Sequence, residues 1–462
     1  MRFILILSHE EMLINDRLFI IGVCPKCTND DSIFIRRIAD EILVNGKAYD
    51  DLRVLTKQIG GRLSGSPQMV KAEQWGLKIF QSLQPDKAWL QECMVPHWVR
   101  GGKDEAIAVE AKQKKSLDVI ALGNSVGSGA SGVNGNVVEV NSFEELDAKK
   151  EMLKGKIVFY NYAFNQKFVK TFEAYGDAVR FRGGGASQAA KYGAVGAIVR
   201  SMSESTDNNP HTGSLRYDSA YNKIPAVAIG LKDADWLSTQ LEKGNVSVTL
   251  KTYGHFFADT IGHNVIAELK GSQFPNEYIT IGGHLDSWDP AEGAHDDGTG
   301  VVQTIEVLRV FKTLGYQPKR TIRFVLFANE ENGLRGGTKY AEEADSKGEK
   351  HIFALESDEG GFTPRGFSLT GSEEQYQKFK NWQPLLCPYG GCEIETGGGG
   401  SDIGPLNRLQ KTPVAGYMPD SQRYFDLHHA RNDVFEAVNK RELELGAVNI
   451  AALIYLVDKY GL

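Results

Sequence analysis

The sequence predicts an α/β fold, and three observations carry that reading. Short apolar runs with strand character recur through the second half of the chain, an amphipathic helical stripe separates the first two, and each run ends on an acid or a histidine. Periods near two and near 3.6 residues distinguish strands from helices. In open α/β sheets, ligands bind in the crevice beyond the carboxyl ends of the strands.

Taken in chain order, residues 31–115 have a helical texture, clearest over 51–59 and 68–83. From about 116 to 255 the texture changes to short apolar strands at 119–122, 137–140, 156–160 and 197–199, divided by glycine-rich turns. Residues 183–191 read as a loop entering a helix, and they lack the spaced Gly-Lys-Ser/Thr of a phosphate-binding loop. The main sheet is expected to resume near Asn264, so that 31–115 and 256–462 form two parts of one domain around an insert at 116–255. No internal repeat is evident.

The second part carries the chemistry. Residues 278–283 alternate like a strand and deliver His284 and Asp286 at its end. A turn-rich stretch, 288–300, holds Asp296 and Asp297, after which Val301, Ile305, Leu308 and Phe311 recur at helical spacing with Arg309 off the stripe. A second strand, 321–328, runs almost directly into Glu330 and Glu331, and a third, 352–355, runs into Glu356 and Asp358. Any one such acid is ordinarily a turn former or a helix cap. A convergent set differs, because several carboxylates buried in one crevice need a cation to compensate them. His284, Asp296, Glu331, Asp358 and His429 are therefore candidate metal ligands. Imidazole with carboxylate suits zinc, and a two-metal site needs a bridging acid, for which Asp296 is well placed.

Composition agrees with a large soluble protein. The 462 residues allow two or three domains, 41% of them are hydrophobic, and 59 acids against 52 bases give a formal charge of −7. No basic block stands out, which argues against nucleic acid as a partner. Near the N-terminus, residues 3–7 and 18–23 are apolar runs too short to span a bilayer, and no clean cleavage site follows either. Cys24-Pro25-Lys26-Cys27 lacks a second ligand pair and is read as incidental, whereas Cys387 and Cys392 are close enough to pair in an oxidising compartment.

In order along the chain, Gly61-Arg62-Leu63-Ser64-Gly65-Ser66, Val95-Pro96-His97-Trp98, Pro210-His211-Thr212-Gly213, Gly283-His284-Leu285-Asp286-Ser287-Trp288-Asp289 and His428-His429 form a specific set. With them, nearly the whole chain resembles the co-catalytic zinc peptidases, a family that includes leucyl aminopeptidases and glutamate carboxypeptidases. The resemblance implies a domain with a central mixed sheet flanked by helices, and a β-rich protease-associated insert at 116–255. It implies two zinc ions per chain, with His284 and Asp358 on one, Glu331 and His429 on the other, and Asp296 bridging. His429 is preferred to His428 because Asp433 completes the family's His-x-x-x-Asp pattern. Glu330 is implied as general base, Asp286 as the acid that orients His284, and Tyr424 as a donor to the oxyanion, with a core aromatic as its alternative. A cis peptide is implied between Asp296 and Asp297. The loop 397–402 is implied to lie near the substrate, making Ser401 and Asp402 candidates for substrate binding together with His211. His295 is read as a partly exposed loop histidine.

The expected activity is exopeptidase cleavage of short peptides, chiefly of unblocked dipeptides from the carboxyl end. The alternatives are aminopeptidase polarity, a single-zinc acyltransferase of the glutaminyl-cyclase kind, and an inactive binding module. The complete ligand set with Glu330 favours the enzyme. The expected partners are short peptides, with neither nucleic acid nor membrane. A homodimer is left open. A secreted or periplasmic location is expected.

Overall fold

The computed structural model describes residues 29–110 and 113–462, so Cys24, Cys27 and the two N-terminal apolar runs lie outside the described residues. Two eight-stranded sheets organise the chain. The strands of the first are β1 (Lys87–Val95), β2 (Thr260–Leu269), β3 (Phe274–His284), β4 (Arg320–Phe327), β5 (Lys350–Glu356), β6 (Pro364–Thr370), β7 (Glu393–Thr396) and β8 (Val414–Pro419). Their spatial order is β1-β2-β4-β3-β5-β8-β6-β7. The central four, β4-β3-β5-β8, run parallel, β1 and β2 pair antiparallel with their neighbours, and β6 pairs antiparallel with β8 and parallel with β7. The expected mixed sheet is present.

Parallel strands covered on both faces read as continuous apolar runs. Residues 321–327 of β4 are accordingly buried without a break. One face is covered by helices Asn29–Asn45, Pro67–Ser82, Thr299–Thr313 and Lys440–Tyr460, whose Ile38, Phe80, Leu308 and Leu453 join a single core with the sheet. The opposite face is covered by Arg335–Ser346 and Gly404–Gln410, through Tyr340, Ala341 and Leu406. Helix Pro67–Ser82 starts where its residues dictate. Ser66 accepts a 3.1 Å bond from the Met69 amide, and proline occupies the first turn, where its missing N–H costs nothing.

From β3 the chain passes through Thr299–Thr313 to β4 on one side, whereas from β5 it leaves for β6 on the other. The crevice between the carboxyl ends of β3 and β5 is thus a topological switch point, the place where open α/β sheets bind ligands.

The second sheet lies within residues 105–251 and carries Thr171–Ala190 on one face and Leu231–Lys243 on the other. Two expectations change here. The sheet begins at Glu105, upstream of the expected boundary at 116, because Glu105–Glu110 pairs with both Gln113–Leu117 and Ser247–Lys251. Charged residues on the outer face of those strands dilute their apolar alternation. Residues 183–185 are not a loop but the middle of helix Thr171–Ala190. A Cβ on Gly185 would lie 2.8 Å from the Tyr160 ring, and the Tyr160 hydroxyl donates to the Gly185 carbonyl at 2.7 Å, so glycine lets the helix sit on the sheet.

Cys387 and Cys392 form a disulfide, and Cys93 is buried as a free thiol. Among the described residues, no helix is long and apolar enough to cross a membrane.

Candidate metal centre

The switch-point crevice gathers the five predicted ligands. His284 closes β3, Asp296 sits in the turn before helix Thr299–Thr313, Glu331 follows β4, and Asp358 follows β5. His429 arrives from the loop after Ser421–Asp426 with a left-handed φ of 62°, a conformation rare for non-glycine residues. Asp296 stands between the two imidazoles. Its Oδ1 lies 3.2 Å from His284 Nε2 and its Oδ2 3.2 Å from His429 Nε2. Asp358 Oδ1 is 3.2 Å from the same nitrogen of His284, and Glu331 Oε2 is 3.1 Å from that of His429. Two His-carboxylate clusters therefore share one aspartate. The Asp296–Asp297 peptide is cis, as the resemblance implies.

Two neighbours compete for these roles by proximity, since Asp297 clusters with His284 and Asp358, and His428 with Asp296 and His429. Both are engaged elsewhere. Asp297 Oδ2 accepts from the His284 amide at 3.0 Å and Oδ1 from the Gly300 amide at 2.9 Å. The His428 ring stacks on that of His429 at 3.5 Å, and its Nε2 is 3.7 Å from Asp296, farther than that of His429. Asp296 Oδ2 and Glu331 Oε1 are buried with no hydrogen-bond partner. Buried carboxylate oxygens normally find one, so the donor set of imidazoles and orphaned carboxylates fits a cation.

Electrostatics agree. Burial opposes charge on the imidazoles of His284 and His429, but Asp358 beside His284 and Glu331 beside His429, each aided by Asp296, outweigh it. His284 is held well above the ordinary histidine range and His429 rises to about 9. Burial and the Asp296 charge push Glu331 up to about 8. Asp296 is also pushed upward by burial, yet His284 and His429 hold it well below the carboxylate range.

A supporting layer explains the turn. Asp433 accepts from the His295 amide at 2.7 Å and from the Asp296 amide at 3.2 Å. Arg62, fully buried, donates to the carbonyls of Leu285, Glu292 and Gly293, which fixes the strand-end loop. Replacing Asp433 with alanine strips two buried amides of their acceptor, at about 1–3 kcal/mol each. Chemical denaturation should show that loss, and metal affinity should fall ~10- to ~100-fold. Unchanged affinity would refute the supporting role.

Other predicted residues separate into those that face the cavity and those that do not. Glu330, Tyr424 and Ser401 line a cavity of about 490 Å³ above the ligands. Burial and the charges of Asp296 and Asp358 hold the Tyr424 phenol well above its usual range, so it stays a donor. Asp286 touches His284 through its backbone carbonyl, 2.9 Å from Nδ1, while its carboxylate is 3.9 Å away and accepts from the Glu330 amide at 3.0 Å. The carboxylate thus positions Glu330 more directly than His284. His211 does not line the cavity. It is buried behind it, with Nδ1 donating to the His428 carbonyl at 2.7 Å. Asp402 is likewise buried outside the cavity, beside Glu356, which accepts from the Asp402 amide at 3.0 Å. His295 is not partly exposed but buried. It stacks on Phe362 at 4.2 Å, and burial lowers it to about 4. Arg62, Asp433 and Asp297 fix the site without touching the cavity. Of these, Asp433 carried a sequence signal in its spacing from His429, while Arg62 and Asp297 stood in motifs that gave neither a supporting role.

The family model described as Peptidase family M28 matches residues 264–454, which contain all five candidate ligands. Carboxypeptidase Q of Homo sapiens is 34% identical over 424 residues, covering 90% of this chain and 87% of the relative, and that of Mus musculus is 33% identical over 415 residues, 89% and 85%. The chain belongs to peptidase family M28. This M28 protein is a zinc metallopeptidase, a hydrolase of the exopeptidase kind. Within the family, the motif set quoted above resembles that of carboxypeptidase Q. A solved structure of an M28 peptidase precursor from Shewanella amazonensis SB2B is 33% identical, with a TM-score of 0.88 over 93% of this chain and 97% of its own. An aminopeptidase from Aneurinibacillus sp. strain AM-1, 22% identical with a TM-score of 0.62 over 92% of this chain and 95% of its own, shares the fold.

Proposed function

We propose that this M28 enzyme is a dinuclear zinc carboxypeptidase acting chiefly on unblocked dipeptides. The observation that carries the reading is Asp296, whose two oxygens face His284 and His429 at equal distance in a cavity that also presents Glu330. His284 and Asp358 would hold one ion, His429 and Glu331 the other, with Asp296 shared. When bound, the zinc pair supplies Lewis acidity, acidifying water and polarising the scissile carbonyl. Glu330 takes the proton of the attacking water and delivers it to the leaving amine. Asp286, bonded to the Glu330 amide, keeps that carboxylate aimed into the cavity. Tyr424 donates its phenolic hydrogen to the oxyanion.

Carboxypeptidase polarity is supported by the carboxypeptidase Q relatives, which align along about nine-tenths of this chain. The unit around the second sheet serves as a protease-associated insert within 105–251. The disulfide between Cys387 and Cys392 suits an oxidising, secreted or periplasmic compartment. The test is a set of dipeptides with N-blocked and C-amidated counterparts. Cleavage that requires both free termini is expected for a dipeptidase. Equal cleavage of C-amidated peptides, or cleavage only inside long chains, would overturn the reading.

Because zinc requires deprotonated ligands, loading at pH 7 is expected to expel protons. The proton on His429, held to about 9, and that on Glu331, held to about 8, must leave. Calorimetry in buffers of different ionisation heats measures the number, and apparent affinity should weaken as pH falls from 9 to 6. A binding heat independent of buffer would contradict the ligand assignment.

A further inference from the structure

Once the acids of the cavity are assigned, its remaining charge has one sign. Asp296, Glu331 and Asp358 belong to the metal ligands and Glu330 to proton transfer, and the lining contains no further carboxylate. It does contain two guanidinium groups, Arg182 and Arg216, both from the unit around the second sheet. An ammonium terminus would find no free acid among these lining residues. A carboxylate would find two arginines.

Arg182 projects from helix Thr171–Ala190 and is 7% exposed. Its Nη2 donates to the Tyr175 hydroxyl at 2.5 Å, and its Nε is buried with no partner. Its Nη1 lies 3.3 Å from His429 Nδ1, a nitrogen that is also 3.2 Å from the Thr212 carbonyl. His429 turns Nε2 toward Glu331 and Asp296. A neutral imidazole that uses Nε2 as a ligand carries its hydrogen on Nδ1, which then donates to Thr212. A guanidinium has only donors to offer, so Nη1 also loses its acceptor in the working state. Neither Arg182 nor Arg216 has an acid partner among the described residues, and a buried cation without one is costly. The juxtaposition is built into the backbone. Gly213 has φ +123°, and a Cβ there would come within 2.5 Å of Arg182 Nη1 and 2.6 Å of His429 Nδ1. Arg216, exposed, follows on the same loop, whose amide at that residue donates to the Gly183 carbonyl of the helix at 2.9 Å.

We infer that Arg182 and Arg216 bind the α-carboxylate of the substrate. A guanidinium matches a carboxylate in bidentate geometry. Because Arg182 touches a metal ligand, the carboxylate it holds lies next to the scissile bond, leaving room for one residue on the leaving side. That is the geometry of a dipeptidase or carboxypeptidase. The inference rests on the exopeptidase reading and adds to it the residues that choose the substrate terminus.

The test uses alanyl-alanine and its C-terminal amide with zinc-loaded protein. The wild type is expected to prefer the free acid in kcat/KM by ~10- to ~100-fold, the range of charge-assisted hydrogen bonds. That ratio should shrink in Arg216→Ala, which alters an exposed side chain, and in Arg182→Lys, and approach one in Arg182→Gln/Arg216→Ala. Calorimetry on zinc-loaded Glu330→Gln reads binding with turnover suppressed, and the same preference should appear there, shrink when Arg216→Ala is added and vanish when Arg182→Gln is added as well. A wild type indifferent to amidation, or a preference that survives the double substitution, overturns the inference while leaving a peptidase. A wild type that hydrolyses neither compound and yet binds the acid selectively would instead sink the exopeptidase reading and retain the carboxylate site.

Discussion

Glu330→Gln is expected to lower kcat by roughly a hundredfold or more, the usual contribution of a positioned general base, while metal content stays at two zinc ions per chain. The expectation follows from position. Glu330 lines the cavity with the candidate ligands, yet it is adjacent in sequence to Glu331, the proposed ligand, and its amide is tied to Asp286 at 3.0 Å. Glutamine keeps the shape and the backbone bond and removes only the ability to accept a proton. Elemental analysis alongside steady-state kinetics separates the two roles. Full activity would take Glu330 out of the mechanism, and loss of metal would make it a ligand.

Asp296→Asn should cost more. Asp296 lies 3.2 Å from the imidazoles of both His284 and His429, and its low proton affinity reflects both of them. An amide offers one oxygen and no charge, so the bridge is lost and at least one ion should leave. Metal Lewis acidity is worth several kcal/mol in the transition state, which at about 1.36 kcal/mol per decade of rate corresponds to a loss of ~100- to ~1,000-fold or more. Metal analysis is expected to give at most one tightly held zinc. Two zinc ions retained with near-normal turnover would show that Asp296 is not the bridge.

The peptidase half was legible because its signals are local. The carboxyl-terminal halves of β3, β4 and β5 are buried and rich in apolar residues, and the residue types at their ends announce the chemistry. Helix Thr171–Ala190 was not legible at Gly183–Gly185, because glycine is a poor helix former and what holds it helical is packing of Gly185 on Tyr160. His295 looked like a loop residue because it sits among glycines, yet packing on Phe362 buries it. His211 and Asp402 were placed beside the substrate by their motifs, and the fold puts both outside the cavity lining, where each is buried.

The sequence by itself determined the α/β class, because strand period and helical stripe are local signals, and it offered five candidate ligands through their donor chemistry, while the role of Glu330 entered with the family resemblance. Tertiary structure alone placed the donors against one another. Asp297 is as acidic as Asp296 and as near in sequence, but only the fold spends both of its oxygens on the amides of His284 and Gly300, leaving Asp296 between the imidazoles. It also brought Arg182 to within 3.3 Å of His429 across 247 residues of chain. No local pattern encodes such a contact, because it depends on where two separately packed sheets come to rest against each other.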